Sequence, residues 1–270
     1  MFKTVLFPIA FGEKAVTVKQ AVKFMQGFGT ERFDLLHVFE SGFARVGTVR
    51  RWLERLETTL RSDRDADITV LCRTGQPALE IIRAARENAA DYIYIPSRQK
   101  GLLQTTLLGS TAQDVIRLTD LPTFVHKQRP DLQRRRADKR APRVMLYATD
   151  FGESAARALP YVRALCSDHC SLHILHVGRR GGDPRAEKRR QERVLERLET
   201  IRREVEPDIP AVEVRALVGI AHREILRTAD ASRAELVVLG RFGTAPMDLF
   251  LGSTAELVVN KARQSILLVP

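Results

Sequence analysis

Three short segments in the second half of the chain carry residue types that suit a phosphate group. They are Ala148-Thr149-Asp150, Gly240-Arg241-Phe242-Gly243 and Gly252-Ser253-Thr254. Glycine lets the backbone approach a phosphate closely, and the N-terminus of a helix presents unpaired N–H groups and a positive dipole to it. The hydroxyl groups of Ser253 and Thr254 can cap such a helix or bind the same anion. The three segments together indicate a phosphate-binding site.

The elements that would position these segments are short strands alternating with helices. In the first half of the chain, apolar runs predict strands at Thr4–Ile9, Phe33–Phe39, Ile68–Cys72, Tyr92–Ile95 and Thr123–Val125. Nearly continuous apolar runs are typical of strands covered by helices on both faces, so we expect a parallel sheet. Ligands of such sheets bind at the carboxyl ends of the strands. Asp150 and Gly240 would lie there, after the first and fourth strands of the second half.

A helix with one apolar face is predicted over residues 185 to 206. Val194, Leu198, Ile201 and Val205 recur at helical spacing and therefore share one face. Arg and Glu fill the other positions of this segment. We interpret these charges as the solvated side of an amphipathic helix rather than as a nucleic-acid-binding arm.

The chain contains an internal repeat. Such a repeat predicts the domain architecture independently of helix and strand propensities. Four matches occur in the same order in both halves: Phe11-Gly12-Glu13 with Phe151-Gly152-Glu153, Leu36-His37-Val38 with Leu175-His176-Val177, Gly75 with Gly219, and Leu108-Gly109-Ser110-Thr111-Ala112 with Leu251-Gly252-Ser253-Thr254-Ala255. The offsets differ by only a few residues. The sequence therefore predicts a duplicated domain.

Composition agrees with two globular domains. The chain has 270 residues, of which 44% are hydrophobic and 29% charged, and domains of about 100 to 150 residues are the most common size. No apolar stretch reaches the roughly 18 residues of a membrane-spanning helix, and the N-terminus resembles no export signal. We therefore expect a cytoplasmic protein without membrane contact, whose cysteines Cys72, Cys166 and Cys170 stay reduced.

The positive charge is concentrated in one segment. The formal net charge is +11, and residues 127 to 143 contain eight basic and two acidic side chains, which contribute +6 of it. The segment has almost no apolar residues and cannot form a core. We interpret it as a solvated linker, and any nucleic-acid binding by it should be non-specific and salt-sensitive. Specific nucleic-acid recognition is not expected, because no aromatic residues interleave the charges for base stacking.

These motifs resemble the universal stress protein family. The resemblance is carried by Ala148-Thr149-Asp150-Phe151, by Leu175-His176-Val177, and by a Gly-x2-Gly segment that leads to Gly252-Ser253. It implies two tandem α/β domains, each a doubly wound, Rossmann-like parallel sheet of five strands in the order 3-2-1-4-5, related by a pseudo-twofold axis. The domains would span 1–126 and 144–270, joined by the linker 127–143.

The resemblance also implies roles for individual residues. Nucleotide-binding members of the family carry Gly-x2-Gly-x9-Gly-Ser/Thr. By this pattern Asp150 and the backbone of Val177 contact adenosine, while Gly240, Gly243, Gly252 and Ser253 surround the ribose and phosphates. The complete predicted site is Ala148, Thr149, Asp150, Val177, Leu239, Gly240, Arg241, Gly243, Gly252, Ser253 and Thr254. One departure is that eight residues, Thr244 to Leu251, stand where the pattern has nine.

The first repeat lacks most of these features. Ala10 occupies the position of Asp150, Pro96 that of the first glycine and Gln99 that of the second, although Gly109-Ser110 is kept. Proline has no N–H and lacks the conformational freedom of glycine. We therefore expect tight nucleotide binding in the second repeat alone.

Structural and metal-binding interpretations compete for some of these residues. Asp150 could serve only to cap the helix that starts near Glu153, and Gly240 and Gly243 could serve only a turn. Cys166 and Cys170 with His169, His173 and His176 have the residue types of a zinc site, but His173 and His176 should point to opposite faces of one strand. A metal site is therefore not expected.

The resulting functional prediction is a stress-response regulatory protein that binds ATP, or ADP or AMP, with or without magnesium. The main alternative is a ligand-free scaffold for dimerisation and protein interaction. An enzyme is not expected because there is no Walker phosphate loop and no evident nucleophile with a base; His222 is explained as a helix-surface residue, and slow ATP hydrolysis stays open. We also expect the fifth strands of the repeats, Thr123–Val125 and Ile266–Val269, to pair antiparallel, leaving other surfaces for a homodimer or a protein partner.

Overall fold

The computed structural model describes residues 1–39, 46–61, 66–97, 108–127, 143–166, 170–179, 181, 183–243 and 251–270. Most of the predicted linker and most of the loop between Gly243 and Gly252 lie outside these residues, as do Gln99 and His169. No helix in the described ranges is long and apolar enough to cross a membrane.

Strands and helices alternate through both repeats. The first repeat contains β1 Thr4–Pro8, α1 Ala15–Gln26, β2 Arg32–Phe39, α2 Val46–Arg61, β3 Asp67–Thr74, α3 Pro77–Glu87, β4 Tyr92–Ser97, α4 Ser110–Leu118 and β5 Thr123–Lys127. The second contains β6 Arg143–Ala148, α5 Glu153–Leu165, β7 Cys170–Gly178, α6 Pro184–Val205, β8 Ala211–Val218, α7 Ala221–Ala231, β9 Leu236–Gly240, α8 Ser253–Lys261 and β10 Ser265–Val269. The predicted strands are confirmed, with ends that differ by one or two residues.

The chain forms two compact units. The first consists of Met1–Ile95 and Gly109–Thr123, and the second of Pro96–Leu108 and Phe124–Pro270. Strand order in the first unit is β3-β2-β1-β4, and β10-β9-β6-β7-β8 in the second. Read from the other edge, the second repeat has the order 3-2-1-4-5. Neighbouring strands within each repeat pair in parallel wherever their register is resolved. The predicted doubly wound α/β fold is confirmed.

The strand β5 belongs to the second compact unit by its contacts. It lies beside β10, and the backbone N–H of Lys127 donates to the hydroxyl of Ser265 at 3.2 Å. Lys127 ends β5 and Ser265 begins β10, which is the arrangement of antiparallel neighbours. Residues 124–127 of β5 therefore belong to the second compact unit, together with Pro96–Leu108. The domain bounds 1–126 and 144–270 stay a prediction.

Apolar strands form the centre of each unit. Val5, Leu6 and Phe33 have no exposed surface in the first, and Leu146 and Val238 none in the second. Burial on both faces explains why these strands read as continuous apolar runs. The long helix α6 presents its predicted apolar face to this core: Leu198 and Val205 are fully buried, and Val194 and Ile201 are partly buried.

Two cysteines depart from the sequence-based expectation. Cys166 follows the last residue of α5 and Cys170 begins β7, and the structure joins them in a disulfide with Cα atoms 5.2 Å apart. The expectation of three reduced cysteines is therefore wrong for this pair. The reason is geometric: the short connection between α5 and β7 brings both Cα atoms within disulfide range. Cys72 is free and exposed.

Lys127 is a buried amine in the second unit. Its residue surface is 3% exposed, and its Nζ has no hydrogen-bond partner among the described residues. Burial disfavours the charged form and lowers the pKa of Lys127 from 10.5 to about 8. The corresponding position in the second repeat is Val269, which is equally buried. Protonated Lys127 therefore destabilises the fold at neutral pH.

We predict that Lys127→Met stabilises the protein at pH 7. Because the folded pKa lies below the unfolded one, the penalty is complete below pH 8 and disappears as pH rises towards 10.5. A shift of this size corresponds to on the order of 3 kcal/mol at 1.36 kcal/mol per pKa unit. Urea unfolding should show a large gain at pH 7 and a much smaller one at pH 10. The exposed control Lys23→Met should change stability little, and an equal gain at both pH values would contradict the assignment.

Candidate functional site

Strand register brings the predicted site segments to one edge of the sheet. Ala148, at the end of β6, pairs with Leu175 of β7 on one side and Leu239 of β9 on the other. The residues that follow these strands therefore emerge together. They line a cavity of about 200 Å³ at the carboxyl ends of the strands, closed by the first turns of α5, α7 and α8. This is where an open parallel α/β sheet is expected to bind a ligand.

All the residues predicted from the sequence line this cavity. They are Ala148, Thr149, Asp150, Val177, Leu239, Gly240, Arg241, Gly243, Gly252, Ser253 and Thr254. The sequence analysis missed Ala155, Leu175, Ala221, Ile225, Phe242 and Ala255. Leu175, Phe242 and Ala255 stand inside motifs that were recognised, so they could have been included. Ala155, Ala221 and Ile225 are ordinary apolar residues of α5 and α7, and only packing reveals them.

Gly240 lies in direct contact with the start of α5. A Cβ atom at this position would lie 2.7 Å from the backbone N of Ala155 and 2.8 Å from the carbonyl carbon of Ser154. Both neighbours are backbone atoms and cannot move aside as a flexible side chain could. Glycine is therefore required here by the packing of β9 against α5, and the contact closes one wall of the cavity.

The N-terminus of α8 forms another part of the cavity wall. Gly252 is the N-cap, and its N–H donates to the carbonyl oxygen of Arg241 at 3.0 Å. The helix makes its first internal bond at Glu256 N, and no side chain caps this end. The N–H groups of Ser253, Thr254 and Ala255 thus have no partner within the helix, as at other helix starts. These donors suit an anion.

The carboxylate of Asp150 lies between two loops of the site, the turn before α5 and the loop after β9. Its Oδ1 accepts the N–H of Gly152 at 2.9 Å, and its Oδ2 lies 3.1 Å from where a Cβ on Gly243 would stand. The N-cap of α5 is Gly152, with no side-chain cap bond. Asp150 therefore shapes the turn before the helix, and its second oxygen faces the glycine loop.

The side chains of Tyr147 and His176 hold the loop around Asp150 in place through hydrogen bonds to backbone carbonyls. The Tyr147 hydroxyl donates to the carbonyl of Ala155 at 2.6 Å, and burial raises the pKa of Tyr147 to about 12. Nδ1 of His176 donates to the carbonyl of Thr149 at 2.9 Å, which requires the proton on that nitrogen. Burial lowers the pKa of His176 and outweighs the opposing effects of the Thr149 carbonyl and Asp150. His176 is therefore a neutral structural donor at pH 7.

The first repeat has a different arrangement at the corresponding places. Ala10 carries no carboxylate, and Pro96 has no N–H at the end of β4. Gly109 is the N-cap of α4, but a Cβ there would meet no described atom within 4 Å. The packing that requires Gly240 and restricts Gly252 in the second repeat is therefore specific to that repeat.

The residues considered for zinc have other partners. Cys166 and Cys170 form the disulfide, His173 lies 3.1 Å from the carboxylate of Glu213, and His176 binds the Thr149 carbonyl. Within the described ranges, no group of three or more His, Cys, Asp or Glu residues could hold a metal ion. His222 lies on α7, next to the cavity residue Ala221.

Comparison with known proteins gives matches to both halves of the chain. The profile of the universal stress protein family matches residues 1–127 and 142–270. Universal stress protein MJ0577 of Methanocaldococcus jannaschii is 26% identical over 150 residues, covering 46% of this chain and 93% of that protein.

Solved structures match over nearly the full length. A universal stress protein from Archaeoglobus fulgidus DSM 4304 has a TM-score of 0.67 at 23% identity, covering 99% of this chain and 96% of that one. A putative universal stress protein from Pseudomonas aeruginosa UCBPP-PA14 has a TM-score of 0.71 at 18% identity, covering 99% and 92%. At these identities the two structures establish a shared fold.

Because Gly240 packs closely against α5, we predict that a side chain at this position lowers the stability of the protein. Gly240→Ala forces a methyl group against backbone atoms, and we expect a loss of roughly 1–3 kcal/mol in the free energy of unfolding. Gly109→Ala places the same group in open space at a helix N-cap and should cost less than about 1 kcal/mol. Urea unfolding of both variants measures the difference. Equal effects would show that the close approach at Gly240 is not a structural requirement.

Proposed function

Because this chain belongs to the universal stress protein family, we propose that it is a regulatory protein whose second repeat binds one adenine nucleotide, ATP, ADP or AMP. The observation that carries the proposal is the convergence of Asp150, the glycines and the start of α8 on one cavity. Apolar side chains and a few polar groups around a concave site are typical of small-ligand pockets. Binding, rather than turnover, is the proposed activity.

The cavity has two chemically different ends. Val177, Leu175 and Ile225 provide an apolar surface beside the carboxylate of Asp150, which suits a purine ring and a ribose hydroxyl. Gly252 and Ser253 stand at the N-terminus of α8, where backbone N–H groups favour a phosphate. The nucleotide would thus lie with its adenosine near Asp150 and its phosphates near the start of α8.

The described residues that line the cavity suit this ligand in charge. Among them Asp150 is the only carboxylate, and Arg241 supplies one cation. Acidic residues near a phosphate would oppose binding, and within the described lining Asp150 alone carries that charge. Magnesium carried by ATP would be held by the phosphate oxygens.

We predict a stoichiometry near one nucleotide per chain, because Ala10 and Pro96 replace the corresponding acid and glycine in the first repeat. Isothermal titration calorimetry of the full chain with ATP, ADP and AMP measures it. Protein purified from cells, denatured and chromatographed, should also release adenine nucleotide. Two equal sites would contradict the assignment to the second repeat. An absence of binding up to millimolar nucleotide would favour the alternative function, a ligand-free interaction scaffold.

A matched pair of substitutions tests where the phosphate binds. Gly252 and Gly109 are N-caps of equivalent helices, so valine at either position has a similar direct effect on the helix. Gly252→Val adds a β-branched side chain where a Cβ is already 3.1 Å from the Arg241 carbonyl, and it blocks approach to the N–H groups. We expect it to weaken ATP binding by more than about tenfold, which is 1.4 kcal/mol. Gly109→Val should leave ATP affinity unchanged, and equal losses in calorimetry would refute the location.

A further inference from the structure

Phe151 has an uncommon backbone conformation directly beside the proposed site. Its φ is 62°, in the left-handed region, which is rare and unfavourable for a bulky side chain. Residues held in such conformations tend to occur at functional sites, where surrounding contacts impose them. The contacts of Phe151 therefore indicate which groups maintain this conformation and which residue it positions.

Two hydrogen bonds link this conformation to Asp150. The N–H of Phe151 donates to Oγ1 of Thr149 at 2.9 Å, and the N–H of Gly152 donates to Oδ1 of Asp150 at 2.9 Å. Each side chain thus binds the backbone two residues ahead, as in Asx and Ser/Thr turns. The backbone at Phe151 determines where the N–H of Gly152 points, and hence where the Asp150 carboxylate is held.

The ring of Phe151 is fixed by two other elements. It stacks on the imidazole of His176 in β7, with ring centroids 4.7 Å apart and planes 25° apart. The guanidinium carbon of Arg197, in α6, lies 4.0 Å from the centre of the same ring, within the range of a cation–π interaction. His176 also binds the Thr149 carbonyl. The loop that carries Asp150 is therefore attached to both β7 and α6.

The first repeat provides an internal comparison. Phe11 corresponds to Phe151, but there Gly12 rather than the phenylalanine has the positive φ, of 80°. Phe11 is 48% exposed and packs edge-on against Trp52 of α2, with centroids 5.4 Å apart. His37 keeps the bond to the carbonyl of Ile9. The repeat that lacks the aspartate therefore also lacks a left-handed phenylalanine in this loop, although the histidine bond is retained.

The repeats share one other uncommon backbone conformation. Ala89 after α3 and Arg233 after α7 both have positive φ, of 50° and 55°, at equivalent helix ends. The difference at Phe151 and Gly12 lies in the loop after the first strand. It accompanies the presence of Asp150 in one repeat and Ala10 in the other.

We propose that Phe151 is a positioning residue for Asp150: its ring, held by His176 and Arg197, maintains the left-handed turn that directs the carboxylate into the cavity. The effect on nucleotide affinity rests on the proposed function, whereas the effect on the turn does not. The role is indirect, because Phe151 is absent from the cavity lining and acts through Asp150.

Amide hydrogen exchange tests the turn without any ligand. In Phe151→Ala the N–H of Gly152 should exchange at least about tenfold faster than in the wild type, because its acceptor is no longer held. Arg197→Met should accelerate the same amide, and Arg197→Lys, which keeps a cation, should restore part of the protection. Phe11→Ala, the matched control in the first repeat, should leave Gly152 unchanged. Unaltered exchange in both Phe151→Ala and Arg197→Met overturns the proposal.

A double-mutant cycle tests the connection to binding. Phe151→Ala should weaken ATP binding at least about tenfold alone but add almost nothing in an Asp150→Ala background, because both changes remove one interaction. Phe151→Tyr, which keeps the stack, should bind like the wild type. Additive losses would mean that Phe151 acts separately from Asp150 and would overturn the proposal. If wild-type protein binds no nucleotide, the proposed function fails, while the exchange measurements still decide the positioning role.

Discussion

The close approach of β9 to the first turn of α5 is the constraint on which the site depends. At Gly240 there is no room for a Cβ, since backbone atoms of Ser154 and Ala155 occupy that space. This contact places the loop after β9 beside the loop after β6. The N–H of Arg241 then bonds to the carbonyl of Val269 at 2.7 Å, and the carbonyl of Arg241 receives the N–H of Gly252. A single glycine thus aligns the strand ends and the start of α8.

The two repeats share one fold, but they differ in the residues at the position of the candidate site. Both have the same strand order around the first strand and a Gly-Ser start to the fourth helix. In the first repeat, Pro96 stands at the end of β4 and Ala10 after β1, so neither the close backbone approach nor the carboxylate is available. Ala10 follows β1, and Pro96 is the second-to-last residue of β4, so both differences lie at the carboxyl ends of strands rather than in the centre of the sheet. Binding chemistry can therefore change without cost to the core.

Few charged groups line the described part of the cavity in the second repeat. Asp150 is held near Gly243, and the backbone N–H groups at the start of α8 offer a positive dipole to an anion without adding a charged side chain. Tyr147 is buried and His176 half-buried, and each donates a hydrogen bond to a backbone carbonyl, which holds the loops without adding charge. Lys127, buried without such a partner among the described residues, shows the cost that the site residues avoid.

The sequence by itself determined the duplication, the α/β class, the strand positions and the polar and glycine residues of the cavity. Periodicity and repeated motifs are local properties, and the register of parallel strands then sends each strand end to the same edge. The tertiary structure alone decided what depends on contacts between distant residues: the disulfide between Cys166 and Cys170, the placement of β5 with the second unit, the burial of Lys127 and the apolar wall formed by Ala155, Ala221 and Ile225. The left-handed Phe151 belongs to this second group. The dipeptide Phe151-Gly152 matches Phe11-Gly12 of the first repeat. The two turns differ in the side-chain bonds of Thr149 and Asp150, which Ile9 and Ala10 cannot make, and in the contacts of the Phe151 ring with His176 and Arg197 from two other elements.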